Sequence, residues 1–335
     1  MRARRSTTLT LIAVAALALG ACGSPGSGGG EAEPTSSGTS GLASCDPVAG
    51  EQLVVLEDDK GLQNADNIIP AVNKAAAAAN PQIIELLDSV SGALDTQKLI
   101  ELNKAVDIDR RTSTEVAEEF VETEQLGADD SSAGAGTSLV VGAANFSESA
   151  TLAEIYAAVL RSAGYDVEVR TIGNRETYLP ALTDGTLTAV PEYAATLADF
   201  LNAQQNGADA ESVASADVDE TVTALTPLAD AAGLAVGAPS AAQDQNAFAV
   251  TSEFATEHDV STLSELAEVC GDLILAGPAE CPERPFCQPG LEETYGLEFA
   301  DFTSYDFGLI GQAVRQGEAA IGLVLSSDGS LAADS

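Results

Sequence analysis

Residues 139–201 read LVVGAANFSESATLAEIYAAVLRSAGYDVEVRTIGNRETYLPALTDGTLTAVPEYAATLADFL. A short apolar strand over 139–143 runs into Asn145-Phe146-Ser147-Glu148-Ser149, a loop that opens an amphipathic helix. Leu152, Ile155, Tyr156, Val159, Leu160 and Ala163 follow the helical period along it. A second strand over 166–171, a helix through 178–182 and an extended segment over 188–193 come next. A β-α-β-α-β run predicts a parallel sheet whose loops gather at the carboxyl ends of the strands, where small ligands bind. These loops carry tyrosines, carboxylates and amides but no catalytic set. The architecture expected is that of a binder.

Working outward, the chain starts with Arg2, Arg4 and Arg5, an apolar core over 9–19, and Leu19-Gly20-Ala21-Cys22. The apolar run is short for a membrane-spanning helix, so residues 1–21 read as a removable signal peptide. Leu-Gly-Ala-Cys looks like a bacterial lipobox, in which Cys22 is acylated and becomes the new N-terminus. A Gly/Ser/Pro-rich stretch follows it, so residues 22–51 are expected to form a flexible spacer, and this favours the lipobox over an ordinary secretory signal. The mature protein is then expected on the extracytoplasmic face of the cell membrane, held by its N-terminal lipid only.

The full chain carries 14 Lys and Arg against 52 Asp and Glu, a net charge of −38. Losing the three signal arginines leaves 11 basic residues and a charge near −41. Nothing this acidic is built to hold nucleic acid or anionic lipid by charge. The same field favours approach of a cation, although solubility of an exported protein accounts for most of it. With Cys22 acylated, four cysteines remain, an even number that in an exported protein predicts disulfides. Cys281 and Cys287 would close a small loop, and Cys45 is then left for Cys270. No metal site is expected: the chain has one histidine, His258, and the cysteine spacing fits no zinc motif. His258 stands in the acidic stretch Glu257-His258-Asp259 and reads as a surface residue; without it there is no Ser/His/Asp or Cys/His set, and no glycine loop cradles phosphate, so neither an enzyme nor a cofactor is expected.

Further along, 52–56 is a strand candidate and 68–72 a short extended piece, followed by helical patterns over 81–90, 96–106 and 113–124. Residues 127–138, GADDSSAGAGTS, are a linker by composition. After residue 201 come helices over 218–232, 263–269 and 310–316, and strands over 246–251, 273–276 and 321–325.

Residues 141–330 resemble the substrate-binding proteins of glycine betaine/choline-type (osmoprotectant) ABC importers. The resemblance is carried by Gly142-Ala143-Ala144-Asn145-Phe146-Ser147-Glu148, Gly173-Asn174-Arg175-Glu176 with Tyr178-Leu179-Pro180-Ala181-Leu182, and Pro191-Glu192-Tyr193. It continues in Ala242-Gln243-Asp244-Gln245-Asn246-Ala247-Phe248, the Cys281–Cys287 loop with Pro289-Gly290-Leu291-Glu292, and Ser326-Ser327-Asp328-Gly329. In that family Ser-Ser-Asp-Gly precedes a segment like Val54-Val55-Leu56-Glu57-Asp58-Asp59-Lys60-Gly61 and the closing helices. Here that block comes first, so the chain looks circularly permuted. The resemblance implies an α/β, two-lobed type II periplasmic-binding-protein fold, circularly permuted, with its ligand cleft between the lobes. Lobe 1 would cover 52–242, made of the family's C-terminal block 52–126, a linker over 127–138 and the family's N-terminal block 139–242. Lobe 2 would cover 243–335. The cut would fall where the family's chain crosses from the second lobe to the first, and a Cys45–Cys270 bond would tie the new N-terminus to lobe 2.

The resemblance also implies a ligand: a quaternary ammonium compound such as glycine betaine or choline, delivered to an ABC importer's permease and ATPase subunits. Such a cation has no N–H to donate and is held by aromatic faces and nearby carboxylates. Tyr193, beside Glu192 in a loop facing the cleft, is the first candidate. Tyr178 and Tyr305 follow, each with a core or surface role as the alternative. Phe146 could supply a wall, whereas Tyr156 belongs to the core. Backbone N–H groups at Ser147–Ser149 and the Asn145 side chain suit a carboxylate, although capping explains the serines equally well. Arg175 is a further partner or a solvated turn residue. Asn246, Ser326, Ser327 and Asp328 would close the site from lobe 2. No aromatic stands within Leu309-Ile310-Gly311 or after the Ser-Ser-Asp-Gly turn, where some family members carry tyrosines. A thin cage leaves two alternatives: another ligand, such as carnitine or ergothioneine, or a non-transport sensor or interaction lipoprotein.

Overall fold

The structure is a computed structural model and describes residues 42–208 and 210–332. The signal segment, Cys22 and the spacer up to residue 41 lie outside the described residues.

Twelve strands form two five-stranded sheets and one small pair. The strands are β1 (Ala43–Ser44), β2 (Leu53–Leu56), β3 (Ile68–Asn73), β4 (Ser138–Ala143), β5 (Asp166–Thr171), β6 (Ala189–Tyr193), β7 (Leu234–Val236), β8 (Asn246–Thr251), β9 (Cys270–Gly271), β10 (Leu273–Gly277), β11 (Phe299–Ser304) and β12 (Ile321–Leu325). The first sheet runs β5-β4-β6-β3-β7 and the second β11-β10-β12-β8-β2. In the first, β5, β4 and β6 are parallel and β3 is antiparallel to β6 and β7. The parallel sheet expected from residues 139–201 is therefore present, extended by the antiparallel β3 and, beyond it, by β7, which runs the same way as the parallel three.

The sequence of β3, IIPAVN, is buried at all six positions because both faces of the sheet are covered. Ile68 and Val72 pack with the helices Gln82–Ala93, Ser113–Thr123 and Ser147–Ser162 on one face. Ile69 and Ala71, pointing the other way by the period of two, pack with Arg175–Thr183, Ala194–Asn206 and Val218–Ala231. Pro70 and Pro191 face each other across β3 and β6. Asn73 N–H donates to the Thr188 carbonyl and Ala194 N–H to that of Asn67. Stepping inward by twos puts the two prolines at a pair that exchanges no hydrogen bonds, so the ladder between β3 and β6 loses none to their missing N–H groups.

The second sheet is built the same way. Phe248, Val250, Leu275 and Leu323 face the helices Ser252–His258 and Leu263–Val269, and Ala247, Ala249 and Val324 face Ile310–Arg315. Both disulfides form within this lobe, Cys281–Cys287 and Cys45–Cys270. The latter fixes β1 beside β9.

Three boundaries differ from expectation. β2 pairs with β8 in the second sheet, not the first, because Leu53 and Leu56 are apolar on the two faces that this edge must cover. The first lobe thus begins after the crossing 57–67. The spacer expected to reach residue 51 ends sooner, since the Cys45 disulfide and a bond from Gly50 N–H to the Arg315 carbonyl hold 43–50 on the second lobe. No inter-lobe crossover is cut: Gln52 Nε2 donates to the Leu331 carbonyl at 3.3 Å, so both ends of the described fold lie together on the second lobe.

Two segments, 57–67 and 237–245, carry the chain between the lobes and lie side by side. Asn67 bridges Gln243, and Asp244 N–H donates to the Asp66 carbonyl at 3.1 Å.

Candidate functional site

The helix Ser147–Ser162 starts at the carboxyl end of β4, with Phe146 extended at its cap position and Ser149 Oγ accepting from Ala144 N–H at 2.9 Å. Glu148 is in its first turn. A first-turn glutamate usually faces water, where the helix dipole favours it. Glu148 instead turns inward and is 5 % exposed. Tyr193 OH donates to its Oε1 at 2.6 Å and Asn103 Nδ2 to its Oε2 at 2.6 Å.

Asn103 also donates to the Ser327 carbonyl at 2.8 Å, and Ser327 Oγ donates to Asp244 Oδ1 at 2.7 Å. Asp244 and Glu148 line the same cavity, close enough for the charge of Glu148 to act on Asp244. One network therefore joins the first lobe (Asn103, Glu148, Tyr193), the crossing segment (Asp244) and the second lobe (Ser327). Close approach here depends on Gly329, where a Cβ would sit 2.6 Å from Lys104 N. Burial pushes the carboxyls of Glu148 and Asp244 upward, and for Asp244 the neighbouring Glu148 charge adds to it. Asp66, buried beside them, is pushed up to about 7, chiefly by burial. Burial and then Glu148 hold the Tyr193 phenol well above its ordinary value.

Above this network a cavity of about 710 Å³ opens between the lobes. Phe146, Ser147, Glu148, Asp244, Ser327 and Asp328 line it, and so does Phe307 from the second lobe. Phe146 and Phe307 are 44 % and 38 % exposed, so each leaves ring surface open to it. Tyr193 lies a layer below, its ring centroid 6.2 Å from that of Phe146. Arg315 and Asp107 complete the charged lining.

Of the expected residues, Phe146, Ser147, Ser327 and Asp328 meet in this cavity, with Tyr193 beneath. The rest are elsewhere. Glu192 and Tyr178 are inside the first lobe: Arg175 binds Glu192 through two nitrogens at 3.0 and 2.7 Å, and Tyr178 OH donates to Glu192 Oε1 at 2.8 Å. That cluster is complete in itself, because a buried carboxylate needs its countercharge and Arg175 supplies it. Arg175 is thus neither a solvated turn residue nor free for a ligand. Tyr305 bonds Glu318 at 2.7 Å on the outside of the second lobe. Asn145 is exposed and outside the cavity lining. Asn246 and Ser326 line a separate cavity of about 510 Å³ by the crossing segments, and Asn246 also lines one of about 320 Å³ with Asp66 and Thr196.

Sequence reasoning missed Phe307, Asp244, Glu148 and Asn103 as site residues. Asp244 and Glu148 stood inside quoted motifs, and Phe307 is two residues before Leu309, where an aromatic was sought. Nothing local marks Asn103, which reaches the site only because its helix packs there. Cys45, His258 and Cys270 also offer ligand-type atoms within 4.8 Å of one another, but the two sulfurs are joined to each other.

The family described as "Substrate binding domain of ABC-type glycine betaine transport system" (OpuAC) matches residues 47–123 and 137–334. A solved structure described as "Crystal structure of glycine betaine/carnitine/choline ABC transporter" is similar over 58 % of this chain and 70 % of its own, at 19 % identity and a TM-score of 0.42. No curated protein matches the chain.

Proposed function

The chain belongs to the family of substrate-binding domains of ABC-type glycine betaine transport systems, and from that premise we propose that it captures a quaternary ammonium compound between its lobes and presents it to an importer. The observation that carries this reading is the pairing of two carboxyls, the buried Glu148 and the half-buried Asp244, with the open rings of Phe146 and Phe307 in one cavity of about 710 Å³. Methylated ammonium groups are held by ring faces and carboxylates, since they give no hydrogen bond. Arg315, in the same lining, offers a countercharge to the carboxylate of a zwitterion such as glycine betaine. Lobe closure on ligand is the motion such folds use.

Attachment by a lipid at Cys22 is part of the proposal. So is the circular permutation, which is supported by the contact between Gln52 and Leu331 and by the interruption of the family match over 124–136. Among the described residues no helix is long and apolar enough to cross a membrane.

A thermal-shift titration against choline, glycine betaine, carnitine and ergothioneine tests the reading. A ligand of the native state adds about 2.7 kcal/mol of stability at a hundredfold excess over its Kd, so a true ligand raises Tm in a concentration-dependent way. Phe307→Ala and Phe146→Ala should each weaken binding about 2- to 30-fold, the equivalent of roughly 0.5–2 kcal/mol per cation–ring contact. Because both rings are partly open, the ligand-free Tm should move little. No shift with any of the four compounds at millimolar concentration would reject the quaternary-ammonium reading.

A further inference from the structure

We propose that Glu148 and Asp244 share one proton while the cleft holds no ligand, and that a bound cation takes its place, so that ligand capture expels a proton from the cleft. The inference rests on the quaternary-ammonium reading above.

The two carboxyls belong to different parts of the fold, the first-lobe helix and the crossing segment, and both line the cavity, joined through Asn103 and Ser327. Their neutral donors are counted easily. Glu148 accepts from Tyr193 and Asn103, and Asp244 accepts from Ser327. Two neighbouring carboxylates in a low-dielectric site cannot both ionise without a countercharge. The charged and titratable groups facing them supply none. Asp66, from the other crossing segment, is a further carboxyl that is itself pushed up to about 7 and brings no positive charge, and Asp107 and Asp328 add negative charge along the cavity lining. Tyr193 keeps its phenol proton. Arg175 is taken up by Glu192, and Arg315, the one cation in the lining, forms no ion pair with either carboxyl among the described residues. A single proton shared by the two carboxyls resolves the conflict, and burial favours that neutral partner by pushing both groups upward.

The exchange balances. The unliganded pair is one carboxylic acid and one carboxylate, with a charge of minus one. A cation entering beside the two rings allows both to ionise, and the O–H bond breaks with its proton passing to solvent. While the pair is protonated, each ligand bound must displace a proton. Affinity therefore rises about tenfold per pH unit, and it levels off once the pair has titrated in the free protein. Release into a more acidic surrounding is favoured by the same linkage.

Calorimetric titration of the full chain with choline chloride and with glycine betaine, in buffers of low and high ionisation enthalpy, reads the proton directly. The expected result at about pH 6 is a binding heat that differs between the buffers by about one proton per ligand bound. Asp244→Asn should bind more weakly and give the same heat in both buffers. Binding by the wild type with no buffer dependence from about pH 5.5 to 8.5 would overturn the proposal. Carbon-13 titration of the side-chain carboxyls without ligand gives an independent reading. One protonated member of the pair at about pH 6 is expected, and two ionised carboxyls there would overturn it whatever the ligand does. If neither probe binds while the shared proton is seen, the exchange is rejected along with the quaternary-ammonium reading, and the fault lies in the ligand class rather than in the pair.

Discussion

Glu192 has no exposed surface, and its carboxylate is held by Arg175 and Tyr178 inside the first lobe. Arg175→Ala would leave that charge buried and unpaired, so it should cost about 3–5 kcal/mol in a urea unfolding experiment. Combining it with Glu192→Gln should recover much of the loss, because the orphaned charge goes with it. A pair serving only ligand capture would show the opposite pattern, lost binding with unchanged stability. The same residues show how far single positions can be read from sequence. Tyr178, Glu192 and Tyr193 all read as ligand-binding candidates in the sequence, yet one backbone step separates a glutamate locked in the interior from a tyrosine beneath the cavity. Adjacent strand residues point to opposite faces, so a motif quoted whole contains both.

Among the elements, residues 127–138 have the composition of a free linker but are docked. Gly134 N–H donates to the Ala163 carbonyl at 2.8 Å, and Ala128 N–H to Ser162 Oγ at 2.8 Å. A Cβ at Gly134 would lie 2.4 Å from the Tyr165 ring, so only glycine allows this approach. Composition reports the turn residues and not what they rest on. β2 is legible as a strand for the same reason that its sheet is not: its alternation is local, whereas its partner β8 lies almost two hundred residues away in the chain. The disulfide Cys45–Cys270, with a sequence separation of 225, closes a long loop and pins β1. Replacing both cysteines by alanine should lower stability by about 2–5 kcal/mol. The loss should appear as a lower Tm with ligand affinity kept, since neither cysteine is near the inter-lobe cavity lining.

At the scale of the whole molecule, the two ends of the described fold meet on the second lobe and the two crossing segments run intact beside each other. The permutation proposed above therefore leaves the hinge untouched. A reordered chain, beginning at residue 138, joined from 332 to 42 by a flexible linker and ending at 124, should fold with the same ligand response and a similar Tm. Loss of folding would show that the present order is required rather than tolerated, since surface termini that lie close together normally permit such rearrangement. The disulfide pairs were expectations that only the fold could bear out, whereas the α/β class, the strand and helix positions around residues 139–201 and the family motifs were legible in the sequence. Those properties are written in local periodicity and in motifs spanning a few residues each. The tertiary structure was needed to show which sheet takes β2, that Arg175 belongs to Glu192, and that Phe307 and Phe146 line one cavity. It alone brought Asn103, Glu148, Asp244 and Ser327 into one network, because contacts between residues as far apart in the chain as Asn103 and Ser327 depend on how two sheets and their helices pack, and no local pattern encodes that.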